Sequence, residues 1–170
     1  MNQAHLHLAL NHFPIIGTVL GFLTLLAGIL FKNEGIKKAG LGIFVFSGVM
    51  AIPAFLTGEG AEEVLKATGM DVEAVGEDHE RLGKIALAIS LVIGVLAFIA
   101  LFIERKHAAL FKKLLIAILV IAGANAVVLK YTGTTGGEIR HTEIRKGAAA
   151  SPEMTNQQQK TQEQGEEEDD

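Results

Sequence analysis

Four long apolar runs, none with a charged side chain away from its ends, restrict this chain to very few folds. They cover about residues 12–31, 39–56, 82–103 and 110–129. Each approaches the roughly 20 residues that cross about 30 Å of hydrocarbon at 1.5 Å per residue. A helix in a soluble protein keeps a polar stripe where it meets water, and these runs keep none. The expectation is an all-α integral membrane protein, a four-helix up-and-down bundle built from residues 1–146.

The net charge of −4 hides a segregation that orients the bundle. Lys32, Lys37 and Lys38 crowd the first connector, and Arg105, Lys106, Lys112 and Lys113 crowd the third. The middle connector is acidic, with Glu59, Glu62, Glu63, Asp71, Glu73, Glu77, Asp78 and Glu80 outnumbering Lys66, Arg81 and Lys84. Short loops rich in Lys and Arg stay in the cytoplasm. Both termini and the acidic connector are therefore expected outside, in a multi-pass protein of the bacterial inner membrane. Residues 147–170, which end in Glu166-Glu-Glu-Asp-Asp170, read as a disordered acidic tail.

Along the chain, Pro14 suits the first turn of a helix that starts near Asn11, leaving residues 1–10 as a short outer segment. Gly17, Gly21 and Gly28 form a small-residue face for a neighbouring helix. Residues 61–67 suit a short helix on the outer surface, and Asp78 is a candidate N-cap for the third span. Lys130 and Tyr131 suit the headgroup layer at the end of the fourth span. After them, Gly133, Gly136 and Gly137 predict a turn. No internal repeat is evident from the residues. Met1-Asn2-Gln3 lacks the basic start of a cleavable signal, so the first span is expected to act as its own insertion signal.

Five of the six histidines fall at the outer ends of these runs: His5, His7, His12, His79 and His141. The charge pattern puts His107 at the other end. Imidazole is the commonest metal ligand among side chains and a common axial ligand of haem iron. The chain has no Cys, which excludes iron–sulfur clusters on thiolates, covalent c-type haem and thiolate zinc sites. In an up-and-down bundle the first and third spans lie diagonally. That places His12 and His79 as one bis-His pair for haem b, with Gly83 leaving room for the macrocycle. Arg81, Lys84, Lys130 and Arg140 are candidate partners for its propionates. His7 and His12 are five residues apart, roughly 140° around a helix. His7 is therefore paired with His141 as a second candidate set, giving one or two haems. A copper or zinc site with Glu59, Glu62 and Glu63 nearby stays open. So does a structural subunit whose histidines bind nothing.

The head of the first span, His7-x4-His12-Phe13-Pro14-Ile15, resembles a family of small bacterial four-helix membrane proteins that is thought to include b-type cytochromes. Thr57-Gly58, His79 to Gly83, and the stretch from Tyr131 through Gly136-Gly137 to His141 resemble it too, so the likeness covers most of residues 5–145. It implies electron transfer through haem held by these histidines. The protein is expected to be a subunit of a larger respiratory or photosynthetic complex. Expected partners are membrane lipid, other subunits of that complex and a periplasmic c-type cytochrome.

Other functions lack their residues. Gly58-Glu59-Gly60 has no third glycine for a dinucleotide loop, and the glycines after Tyr131 have no lysine for a phosphate loop. Ser47, Ser90 and Asn125 are the polar groups that the spans offer a transported solute. Nothing points to nucleic acid, and no set of residues suits substrate turnover, so an electron carrier is expected rather than an enzyme.

Overall fold

The computed structural model describes residues 2–69, 73–103, 107–141 and 144–145. The expected acidic tail at 147–170 lies outside the described residues. Six helices follow in order: α1 (Gln3–Leu10), α2 (His12–Leu30), α3 (Glu34–Leu56), α4 (Gly58–Ala67), α5 (Glu73–Ile103) and α6 (Ala108–Arg140). α2 packs on α3, α3 on α5, α5 on α6, and α6 returns to α2, so α2 and α5 sit on a diagonal. α1 and α4 pack on each other at the end of the bundle. This is an all-α four-helix bundle with two short helices across one end.

Four helical stretches are long and apolar enough to cross a membrane: Gln3–Leu30, Glu34–Ala67, Val75–Ile103 and Ala108–Arg140. Their outward faces are as apolar as their cores. Val120 and Ile116 on α6 are 69% and 62% exposed and Val95 on α5 is 58% exposed, apolar surface that suits lipid and not water.

Three boundaries differ from the sequence reading. Residues 3–10 form a helix of their own, opened by the Asn2 side chain accepting from the His5 N–H at 3.0 Å. It runs almost into α2, because the Asn11 N–H still reaches the His7 carbonyl at 2.9 Å. α5 begins at Glu73, which puts Asp78 inside the helix, paired with Arg81 at 3.0 Å, rather than at its cap. α6 passes straight through the expected glycine turn to Arg140. There the hydroxyls of Thr132, Thr134 and Thr135 donate to the carbonyls four residues back, at 3.0, 3.0 and 3.1 Å. None of Gly133, Gly136 and Gly137 takes a left-handed φ. Tertiary contacts set the conformation here and outweigh the poor helix propensity of glycine.

The expected small-residue face on α2 is real. A Cβ at Gly17 would meet Ser47 at 2.8 Å, and one at Gly21 would meet the Phe44 ring at 2.9 Å. These contacts bring α2 and α3 together backbone to side chain, the way small residues bind helices in lipid.

The interior is layered along the bundle axis. An apolar layer holds Leu25, Leu41, Phe44, Ile93, Phe111 and Ile118. A polar layer follows, one residue from each long helix: Thr18 faces Ser47 at 3.3 Å, and Asn125 donates to Ser90 at 2.9 Å. Beyond it lies the end that carries His7 and His79.

The layers repeat within the chain. The shift in numbering that carries His7 onto His79 also carries Thr18 onto Ser90. It takes buried Pro14, Gly21, Leu25 and Gly28 onto buried Ala86, Ile93, Ala97 and Ala100. A second shift, which carries Thr57 onto Thr135, takes Ser47 onto Asn125, Phe44 onto Ala122 and Ala51 onto Leu129, again buried on buried. The two hairpins, α2–α3 and α5–α6, thus share one pattern of buried positions.

Candidate functional site

The rings of His7 and His79 meet with centroids 6.2 Å apart and planes at 88°. His7 comes from α1, which lies beside α4 and against α3, and His79 comes from the second turn of α5. Both rings are partly buried, and each is held by the far helix of its own hairpin. The Nδ1–H of His7 donates to the Ala54 carbonyl at 2.9 Å and lies 3.2 Å from Thr57 Oγ1. The Nδ1–H of His79 donates to the Thr132 carbonyl at 2.9 Å and lies 3.2 Å from Thr135 Oγ1. The same clamp therefore occurs twice, at positions that correspond between the two hairpins.

A carbonyl can only accept, so Nδ1 of each ring must carry the proton. Nε2 is then the basic nitrogen of both imidazoles. A histidine that binds metal through one nitrogen almost always donates the other N–H to a carbonyl or carboxylate, which fixes its tautomer and orientation. The spacing also suits a shared ion. Metal–nitrogen bonds are about 2.0–2.1 Å and a ring centre lies about 1 Å beyond its nitrogen, so two imidazoles on opposite sides of one ion have centres roughly 6 Å apart.

The two pairs expected from the sequence are not the pair that the structure assembles. His12 opens α2 with its ring exposed and its Nδ1 3.2 Å from the Leu8 carbonyl, within its own turn. It is His7, one and a half turns earlier, that reaches His79. The continuation of α1 into α2 explains this, since the phase of a nearly unbroken helix turns His7 inward and His12 outward. His141 is the exposed C-cap of α6, its N–H on the Gly137 carbonyl. His5 and His107 are exposed as well.

Of the expected propionate partners, Arg81 is exposed and pairs with Asp78, and Arg140 is the exposed last residue of α6. Lys84 pairs with Glu80 at 2.6 Å. Glu62 on α4 approaches α5 at Gly76, one turn before His79, while its Oε1 binds Lys66 at 2.7 Å. Among the described residues no group of three or more His, Cys, Asp or Glu is arranged to hold a metal ion.

The clamp residues Ala54, Thr132 and Thr135 had no signal of their own in the sequence. Thr-Gly occurs four times in the chain, and two of these pairs, Thr57-Gly58 and Thr135-Gly136, stand at the clamps. At both, the Cε1 side of a ring comes close to the backbone. A Cβ on Gly58 would lie 3.6 Å from His7 Cε1, and one on Gly136 would lie 2.8 Å from His79 Cε1.

No family model matches the chain, and no curated protein or solved structure does.

Proposed function

We propose that His7 and His79 are the axial ligands of a single haem b and that the protein is an electron carrier of the bacterial inner membrane. The observation that carries the reading is the duplicated clamp. Two imidazoles from opposite hairpins, each with Nδ1–H committed to a carbonyl, have their ring centres at the separation of two imidazoles on opposite sides of one ion.

The size of the ligand set favours haem over a bare ion. Zinc and copper sites draw three or four ligands from the protein. Haem iron brings four nitrogens of its own and asks the protein for two. His7 and His79 are a set of two. Bound haem supplies one-electron oxidation and reduction at this end of the bundle.

The protein groups bind and orient. The Ala54 and Thr132 carbonyls fix the tautomers, and α1 and α4 shield the pair from bulk water. By the positive-inside rule this end, with the acidic α4, faces the periplasm. There it is placed to exchange electrons with a c-type cytochrome or with a neighbouring subunit of a respiratory or photosynthetic complex. Such a role agrees with the resemblance to the four-helix family with a His-x4-His-Phe-Pro motif, with His7 and His79 replacing the ligand pairs first expected.

A reduced-minus-oxidised spectrum and a pyridine haemochrome assay on the purified protein test this reading. One low-spin haem per chain is expected, lost in His7→Ala and in His79→Ala, and kept in His12→Ala and His141→Ala. A spectrum without haem bands from protein expressed with ample haem, or metal found as copper or zinc by elemental analysis, overturns it. So does loss of the bands in His12→Ala alone.

A further inference from the structure

We infer that Thr57 and Thr135 are a matched pair of positioning residues that set the angle between the two imidazole planes. The inference rests on the bis-His haem reading and adds what the hydroxyls do there.

Each hydroxyl closes a triangle. Thr57 Oγ1 lies 3.2 Å from His7 Nδ1 and 3.0 Å from the Ala54 carbonyl, the same oxygen that receives the ring N–H at 2.9 Å. Thr135 Oγ1 lies 3.2 Å from His79 Nδ1 and 3.1 Å from the Thr132 carbonyl, which again accepts from the ring at 2.9 Å. One acceptor leaves an imidazole free to swivel about the line from Nδ1 to oxygen. A second acceptor off that line removes the freedom, so carbonyl and hydroxyl together fix the plane of the ring.

The helices do not need these hydroxyls. Each also reaches a carbonyl four residues back, Pro53 at 2.8 Å and Tyr131 at 3.1 Å. Such back-bonding is at best neutral for a helix. The feature common to Thr57, at the end of α3, and Thr135, within α6, is the histidine beside each. With both planes fixed by separate clamps, the rings stand at 88°.

In low-spin ferric haem the mutual angle of two axial imidazoles governs the splitting of the iron d orbitals. Perpendicular planes give a strongly anisotropic electron paramagnetic resonance signal, and parallel planes give an ordinary rhombic one. Hydrogen bonding to the axial ligands is also a lever on the reduction potential.

The test uses the full chain carrying Thr57→Val, Thr135→Val, or serine at either position. Valine keeps the shape and removes the oxygen, and serine keeps the oxygen. Haem-loaded wild type should give the strongly anisotropic signal, each Val variant should shift toward the rhombic one, and each Ser variant should restore the wild-type signal. Loss of haem from a folded Val variant that the Ser variant reverses also supports the inference. Val variants that bind haem with an unchanged signal and unchanged midpoint potential overturn it. Wild type that binds no haem defeats the ligand proposal instead. The clamp is then decided by nitrogen-15 resonances of the histidine rings in the haem-free protein. Val variants should lose the uniform Nδ1–H tautomer of wild type, and an unchanged tautomer overturns the inference.

Discussion

A methyl group added to Gly136 would lie 2.8 Å from Cε1 of His79, closer than real Cβ atoms approach any neighbour, while its counterpart Gly58 leaves 3.6 Å to His7. The two glycines correspond in the internal repeat, so they form a natural pair of tests. Gly136→Ala must move the His79 ring off its clamp. Haem affinity is expected to fall roughly 10-fold or more, the usual cost of disturbing what orients a ligand. Gly58→Ala stays within ordinary contact distance and should retain near wild-type affinity. Titration of haem into the two purified variants reads the contrast, and equal affinities contradict it.

Gly40 and Gly42 lie one turn-fraction apart on α3 and should respond in opposite directions to alanine. A Cβ at Gly40 would sit 2.7 Å from the Leu25 nitrogen and 2.9 Å from its Cα, backbone that cannot swing aside. Overpacking of this kind costs about 1–3 kcal/mol. At Gly42 a Cβ meets nothing within 4 Å, and the gain in helix propensity is about 1 kcal/mol. Thermal unfolding in detergent should place Gly40→Ala below wild type and Gly42→Ala at or above it.

The spans were legible because hydrocarbon demands a run of apolar residues whatever neighbours the helix has. The repeat was not, because its two halves solve the same packing problem with sizes reversed. Gly21 takes the ring of Phe44 in the first half, and the corresponding positions hold Ile93 and Ala122. Leu25 fills the space left by Gly40, and their counterparts are Ala97 and Ile118. Burial is conserved between halves while residue identity is not, and sequence comparison sees identity alone. The histidine-rich end was likewise legible as a region. Its pairing was not, since that depends on whether residues 1–10 continue the helical phase of α2, and Pro14 pointed the other way. The threonine clamps depend on α6 staying helical through three glycines, which local propensity argues against.

The polar layer offers a measure of coupling inside the bundle. The Asn125 amide donates to Ser90 at 2.9 Å in a fully buried setting, and no donor among the described residues reaches its Oδ1. Ser90→Ala strands that amide. A double-mutant cycle with Ser90→Ala and Asn125→Ala should return a coupling of about 0.6 kcal/mol, and at most about 1.7, the range found for interhelical hydrogen bonds in a membrane. The counterpart contact between Thr18 and Ser47 is longer, at 3.3 Å, and Ser47 also donates to the Pro14 carbonyl at 3.1 Å. A cycle on Thr18 and Ser47 should therefore give the smaller value. The reverse order would contradict the ranking by geometry.

The orientation of the bundle can be read with a single label, because the chain contains no cysteine. The α2–α3 turn, the last residues of α5 and the first of α6 lie at the end opposite His7 and His79, and that end carries Lys37, Lys112 and Lys113. Glu63 on α4 and Lys112 at the start of α6 are both exposed, at the two opposite ends. If the basic turns face the cytoplasm, Glu63→Cys in intact cells should react with a membrane-impermeant maleimide, and Lys112→Cys should react only after permeabilisation. The two substitutions sit outside the packed core, and surface changes of this kind shift stability by about 0.5 kcal/mol or less. Labelling of Lys112→Cys in intact cells with protection of Glu63→Cys would invert the topology. The histidine pair would then face the cytoplasm, and a periplasmic electron partner would be excluded.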